Sequence, residues 1–154
     1  LDPKNAVRLG QLGISLSLIR NYALADEMFA HSIGLIPDQE DSYIERTANL
    51  WRWNADIDRA AAVIAAAPTQ GNQRIVLAWY FQDLFSGHPE SAMQRIMSAS
   101  WDVYAVQEGY YPRELLIYWC LERMGEKSAD YLVRELERSN TPELGRFLYA
   151  LGIR

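Results

Sequence analysis

The stretch that decides the fold runs from Leu9 to Pro37. It reads Leu9-x2-Leu12-Gly13-x2-Leu16, then Ala25-x3-Phe29, then Ser32, and closes at Pro37. Leu9, Leu12, Leu16 and Ile19 recur at helical spacing, and Val7, Ile14 and Leu18 make a second apolar stripe on the same segment. This predicts a first helix over about residues 4–19, with Asp2 as its cap and Pro3 at its first position. A helix that is apolar on two faces is expected to have neighbours on both sides. Asn21 breaks the pattern, and a second helix follows over about 22–36 with Ala25, Met28, Phe29, Ser32 and Ile36 turned inward. Gly13 and Ala25 are small where the two helices should cross, and Phe29 is expected to fill the space toward the next pair.

Outward from this pair the punctuation repeats. Pro37 and Asp38 separate the second helix from a third over about 39–53, and a short turn at 54–56 leads to an Ala-rich fourth over about 57–67, stopped by Pro68. A fifth covers about 73–85. Ser86-Gly87-His88 is a turn, and Pro89 opens a sixth that reaches about Ala99. Residues 100–110 are less regular, with a short helix expected over Trp101 to Gln107. A seventh starts near Pro112 and runs to Met124, an eighth covers about Lys127 to Ser139, and a ninth starts at Thr141-Pro142 and ends near Leu151. The short connections predict antiparallel neighbours. Single pairs of this size cannot bury both apolar faces alone, and stacking them side by side solves that.

Pro3 and Pro37 lie 34 residues apart, the tetratricopeptide period. The quoted stretch resembles that family's pattern of W-x2-L-G-x2-Y, A-x3-F and a closing P, with Leu9 for the Trp and Leu16 for the Tyr. Later units resemble it in part, through Tyr43 with Ala60-x3-Ile64, then Gly87 with Ala92-x3-Ile96, then Gly125 with Ala129-x3-Val133. The stretch Tyr111-Pro112-Arg113-Glu114-Leu115-Leu116, then Leu121 to Ala129, and later Ala150-Leu151-Gly152, resembles carboxy-terminal repeat regions of bacterial regulators. The resemblance implies an all-α fold, an α-solenoid of about four degenerate repeats plus a terminal helix. The chain is expected to be a single domain over 1–154 and a piece of a longer chain. It also implies a concave groove along the first helices of the pairs, lined by Ile14, Leu18, Trp51, Arg52, Arg74, Phe81 and Tyr118, that holds a peptide or protein segment. Arg52, Arg74 and the aromatics would suit an extended segment with one acidic residue and an apolar anchor.

Composition narrows the function classes. The chain of 154 residues is 49% hydrophobic and 23% charged, too apolar for a disordered chain. Its formal net charge of -5 argues against direct contact with nucleic acid, which needs a basic patch. The longest apolar runs fall short of a membrane span, so no membrane insertion is expected. One cysteine excludes an internal disulfide framework and suits the cytoplasm better than the periplasm.

A search for chemistry finds little. His31 and His88 lack partners at ligand spacing, so no metal is expected. His31 reads as a helix-surface residue and His88 as a helix cap. Cys120, between Trp119 and Leu121, reads as a buried structural thiol. No phosphate loop and no G-x-S-x-G occurs. The acidic cluster Asp38, Glu40 and Asp41 sits at a helix start, where negative charge suits the dipole. These readings lead to a chain without cofactor that is not an enzyme. It would act as a protein-interaction or scaffold module in a bacterial regulatory or signalling protein, with homodimerisation as a further expectation. The alternative is a helical small-molecule-sensing domain with an aromatic-lined pocket.

Overall fold

The structure, a computed structural model, describes residues 3–106, 109–126 and Arg134. Among them are seven helices: α1 (Pro3–Leu18), α2 (Tyr22–Leu35), α3 (Glu40–Asn54), α4 (Ile57–Ala65), α5 (Gln73–Phe85), α6 (Pro89–Ser98) and α7 (Arg113–Arg123). The predominantly helical fold read from the sequence is therefore correct, and each described helix starts and stops within two residues of its expected bounds. The expected short helix at 101–107 is instead strand. β1 (Val103–Val106) pairs antiparallel with β2 (Gly109–Pro112), with Tyr104 opposite Tyr111 and Ala105 opposite Tyr110. Val and Tyr favour the pleated surface of a strand, and a cross-strand Tyr pair stabilises it. The expected eighth and ninth helices, and Asp2 as a cap, lie outside the described residues.

By its contacts the chain packs as two compact units, Leu1–Gln82 and Asp83–Arg154. In the first unit, α1 and α2 are antiparallel. Gly13 faces Phe29, while nearer the start of α1 the Ala6 carbonyl accepts from the Ser32 hydroxyl at 2.8 Å. α2 and α3 are antiparallel too: Ser32 Oγ meets Ser42 Oγ at 2.8 Å, and the Asn49 side chain donates to the Tyr22 carbonyl at 3.0 Å. α3 and α5 run parallel. Glu40 and Asp41 at the start of α3 accept from Asn72 and Arg74 beside the start of α5. Trp51 near the end of α3 donates to Gln82 near the end of α5 at 2.8 Å.

Two residues with positive φ end helices in this unit: Arg20 (φ 63) after α1 and Ala55 (φ 53) at the C-cap of α3. The left-handed conformation turns the chain out of the helix. α1 thus ends at Leu18, one residue short of its expected end at 19. At the start of α4, the Asp56 side chain accepts from the Arg59 backbone N–H at 3.2 Å, an N-cap of the ordinary kind.

The core of the first unit is a cluster of Tyr43, Leu50, Ala60, Val63, Ile64, Ala67, Ile75 and Ala78, with Ile33, Ile44, Trp51 and Trp79 packed against it. The Ala-x3-large pattern of the second helices is buried wherever it is described: Ala25 and Phe29, Ala60 and Ile64, Ala92 and Ile96 are all fully enclosed. Two expectations change. Phe29 packs back into its own pair, its ring against Gly13, rather than toward the next. The buried line of α1 is Ala6, Gly13 and Ser17, while Leu12 and Leu18 are 47% and 75% exposed. Close approach of two backbones selects small residues, and the large ones are left on the flanks.

Candidate functional site

The residues expected to line a groove sit as follows. On α1, Ile14 is half-buried and Leu18 exposed. On α3, Arg52 is exposed, while Trp51 is half-buried and held by its hydrogen bond to Gln82. Gln82 in turn donates to the Ile57 carbonyl at 2.9 Å, so one buried amide ties the ends of α3, α4 and α5. Phe81, half-buried, meets Tyr80 edge-on at 5.1 Å. Trp53, two residues from Trp51, is exposed. Trp51 and Arg52 thus share one end of α3, with Phe81 near the matching end of α5.

Arg74 is differently placed. It forms an ion pair with Asp41, so the carboxylate it was expected to receive from a partner is supplied from within the chain. Tyr118 is half-buried on α7, in the second unit.

An ionic group that the sequence did not single out lies between α2, α3 and α4. Asp26 is buried, its side chain only 9% exposed, and two arginines converge on it. Arg46 donates from Nε to Oδ1 at 2.7 Å and from Nη2 to Oδ2 at 3.3 Å. Arg59 donates from Nη2 to Oδ2 at 2.5 Å. A buried carboxylate is tolerated when it is paired and hydrogen-bonded, and here three charge-assisted donors do this. The signal available in the sequence was small: an acid next to Ala25, inside the second-helix pattern. Nothing in the spacing of Arg46 and Arg59 showed that they would meet.

In the second unit, Asp102 and Arg113 bracket the hairpin. Arg113 Nη2 lies 2.7 Å from Asp102 Oδ1, and the Arg113 N–H donates to the Asp102 carbonyl at 2.8 Å. Trp101 packs edge-on against Tyr104 at 5.8 Å, and Tyr111 against Trp119 at 6.1 Å. Tyr104 is fully buried, and its hydroxyl has no hydrogen-bond partner among the described residues. Burial raises its pKa above the ordinary 10.0, and the nearby charge of Arg113 opposes that in part.

The chemically suspect residues are placed as read, with one change. His31 is exposed on α2, and Cys120 is buried in α7. His88 does occupy the N-cap position of α6, but its side chain makes no capping bond. Among the described residues no group of three His, Cys, Asp or Glu side chains could hold a metal, and no helix is long and apolar enough to cross a membrane.

No family model matches the chain, and no solved structure does. A short stretch is nevertheless similar to DNA ligases. It is 73% identical over 33 residues to the DNA ligase of Alcanivorax borkumensis, covering 21% of this chain and 4% of the ligase. It is 65% identical over 34 residues to that of Marinobacter nauticus, covering 22% and 5%. With the DNA ligase of Chlorobium chlorochromatii the identity is 47% over 53 residues, covering 34% and 7%. The chain thus spans less than a tenth of the length of the relatives it matches. This finding overturns the expectation that the chain stands apart from enzymes: about a fifth of it is shared, at high identity, with proteins named as DNA ligases.

Proposed function

We propose that the helices of unit Leu1–Gln82 form a tetratricopeptide-like solenoid that holds a peptide or protein segment, as an interaction module of a larger bacterial protein. One observation carries the reading. Contacts between equivalent helices recur at nearly constant sequence separation. Arg74 meets Asp41 and Arg59 meets Asp26 at 33 residues, Asn72 meets Glu40 at 32, and Trp51 meets Gln82 at 31. Gly10 lies against Ser42 across the same step. Stacked units related by a fixed shift give this pattern, at close to the tetratricopeptide period. The exposed Leu18 and Arg52, with half-buried Ile14, Trp51 and Phe81, supply an apolar anchor site and a cation on first helices of the pairs.

The test is affinity capture with the full chain against a Leu18→Glu/Arg52→Glu variant, both sites being exposed and so tolerant of change. A partner bound by the parent and lost by the folded variant supports the module. A partner set that is the same for both removes the groove from consideration.

The ligase stretch favours a second reading, in which the chain contributes to a protein that joins DNA strands. Its test is binding of a nicked duplex against an intact one, at low and at moderate salt. Preference for the nick supports this reading, and binding to neither removes it. The two readings are compatible, since a helical module can serve an enzyme that acts on DNA.

A further inference from the structure

We propose that Arg46 and Arg59 form a receptor for a single carboxylate, an acidic side chain of the bound peptide, with Asp26 as the residue that positions them. The inference deepens the interaction-module reading and rests on it. It also moves the acidic-residue site away from Arg74, whose charge Asp41 already meets.

The geometry is that of an oriented pair. Asp26 is the inner wall, nearly closed off from solvent, and the two guanidiniums are the outer layer, with Arg46 20% and Arg59 43% exposed. Two guanidiniums share one carboxylate here, and neither fork is used up by it. Each guanidinium has five N–H donors. Arg46 spends Nε and one Nη2 bond on Asp26, and Arg59 spends one. Their other donors have no partner among the described residues. Asp56, three residues before Arg59, accepts the Arg59 backbone N–H as the helix cap, Asp58 directly before Arg59 is exposed, and Glu45 directly precedes Arg46.

Long arginine side chains normally lose rotamer freedom when they bind. Here that loss has already occurred, because Asp26 fixes both forks in the free protein, and a pre-oriented pair binds more tightly than a mobile one. A carboxylate can accept from both arginines at once, giving an alternation of acid, two bases and acid across α2, α3 and α4. The open donors of the two held forks suit one carboxylate. A phosphate backbone needs several cations in a row, and the chain's net charge of -5 disfavours it.

The experiment follows the Nε–H resonances of Arg46 and Arg59 in the full, isotopically labelled chain. The probes are a capped peptide with one glutamate between two leucines, its glutamine twin, inorganic phosphate, and a nicked duplex. The expected result is a saturable shift of the Arg59 resonance with the glutamate peptide and binding about tenfold weaker for the glutamine twin, the size of one charge-assisted bond. Arg59→Gln should weaken the glutamate peptide about as much. Arg59→Lys, which keeps the charge and loses the fork, should recover only part of it.

An Arg59 resonance that stays still, or that moves equally with both peptides, overturns the receptor. So does a shift with phosphate or nicked duplex and none with the glutamate peptide. Peptide shifts confined to α1 and α3 overturn the receptor but leave the module standing. Failure of partner capture by the parent chain, with the Arg59 shift intact, overturns the module alone.

Discussion

The first unit contains two kinds of helix contact. Where α1 crosses α2, small and polar groups fill the interface: Gly13 under the Phe29 ring, and the Ser32 hydroxyl between the Ala6 carbonyl and Ser42. Where α3, α4 and α5 meet, the filling is large and apolar, with Leu50, Ile64, Ile75 and Tyr43 at the centre. The first contact gains close backbone approach, and its stability depends on steric fit and satisfied hydrogen bonds. The second gains buried area and depends on volume. The same amphipathic pattern can therefore be read correctly as helix and wrongly as to which side is inside.

Five substitutions break or sharpen this contrast, one of them as a background for another, each read by urea denaturation of the full chain. Leu50→Ala should cost most, about 2–5 kcal/mol, because it removes a fully buried side chain from a close-packed cluster. Gly13→Ala comes next. A Cβ there would lie 2.7 Å from the Phe29 ring, an overpacking cost of about 1–3 kcal/mol offset by the better helix propensity of Ala, up to about 1 kcal/mol. The sharpening control is Phe29→Leu. In that background Gly13→Ala should become neutral or stabilising, and an unchanged penalty would show that the ring is not what forbids the methyl group. Ser32→Ala should cost about 1–2 kcal/mol by removing the added bond to the Ala6 carbonyl and leaving the buried Ser42 hydroxyl without this partner. Leu12→Ser should change stability least, within about 0.5 kcal/mol. A loss as large as that of Leu50→Ala would mean that the α1 flank is covered in solution and that the contrast is drawn in the wrong place.

Much of the fold was legible because its signals were local. Pro37, Pro68 and Pro89 punctuate, and the Ala-x3-large pattern marked the buried positions of α2, α4 and α6. The inside face of α1 was not legible, because Leu9, Leu12 and Leu16 are a stronger hydrophobic signal than Ala6, Gly13 and Ser17. Small residues carry no apolar weight, although close packing selects them. The hairpin was missed for a related reason: four-residue strands of Val and Tyr are too short to show alternation against a helical background. In the candidate site, Trp51, Arg52 and Phe81 came from alignment with a repeat pattern. Asp26, Arg46 and Arg59 could not come that way, since their meeting depends on how three helices rotate about their axes. The engagement of Arg74 by Asp41 depends on a contact spanning 33 residues.

Tyr104 gives the second unit an optical handle. Its phenol is buried with no hydrogen-bond partner among the described residues, and its pKa is raised above 10.0 chiefly by burial. The folded state therefore holds this proton more tightly than the unfolded chain does. Its contribution to stability is complete below pH 10 and declines as pH rises toward and through the raised value. Of the nine tyrosines in the chain, this one should develop phenolate absorbance late, when alkali opens the unit around it. An ultraviolet titration compared with that of Tyr104→Phe would isolate that late step, and the difference would time the opening of the hairpin without any attached dye.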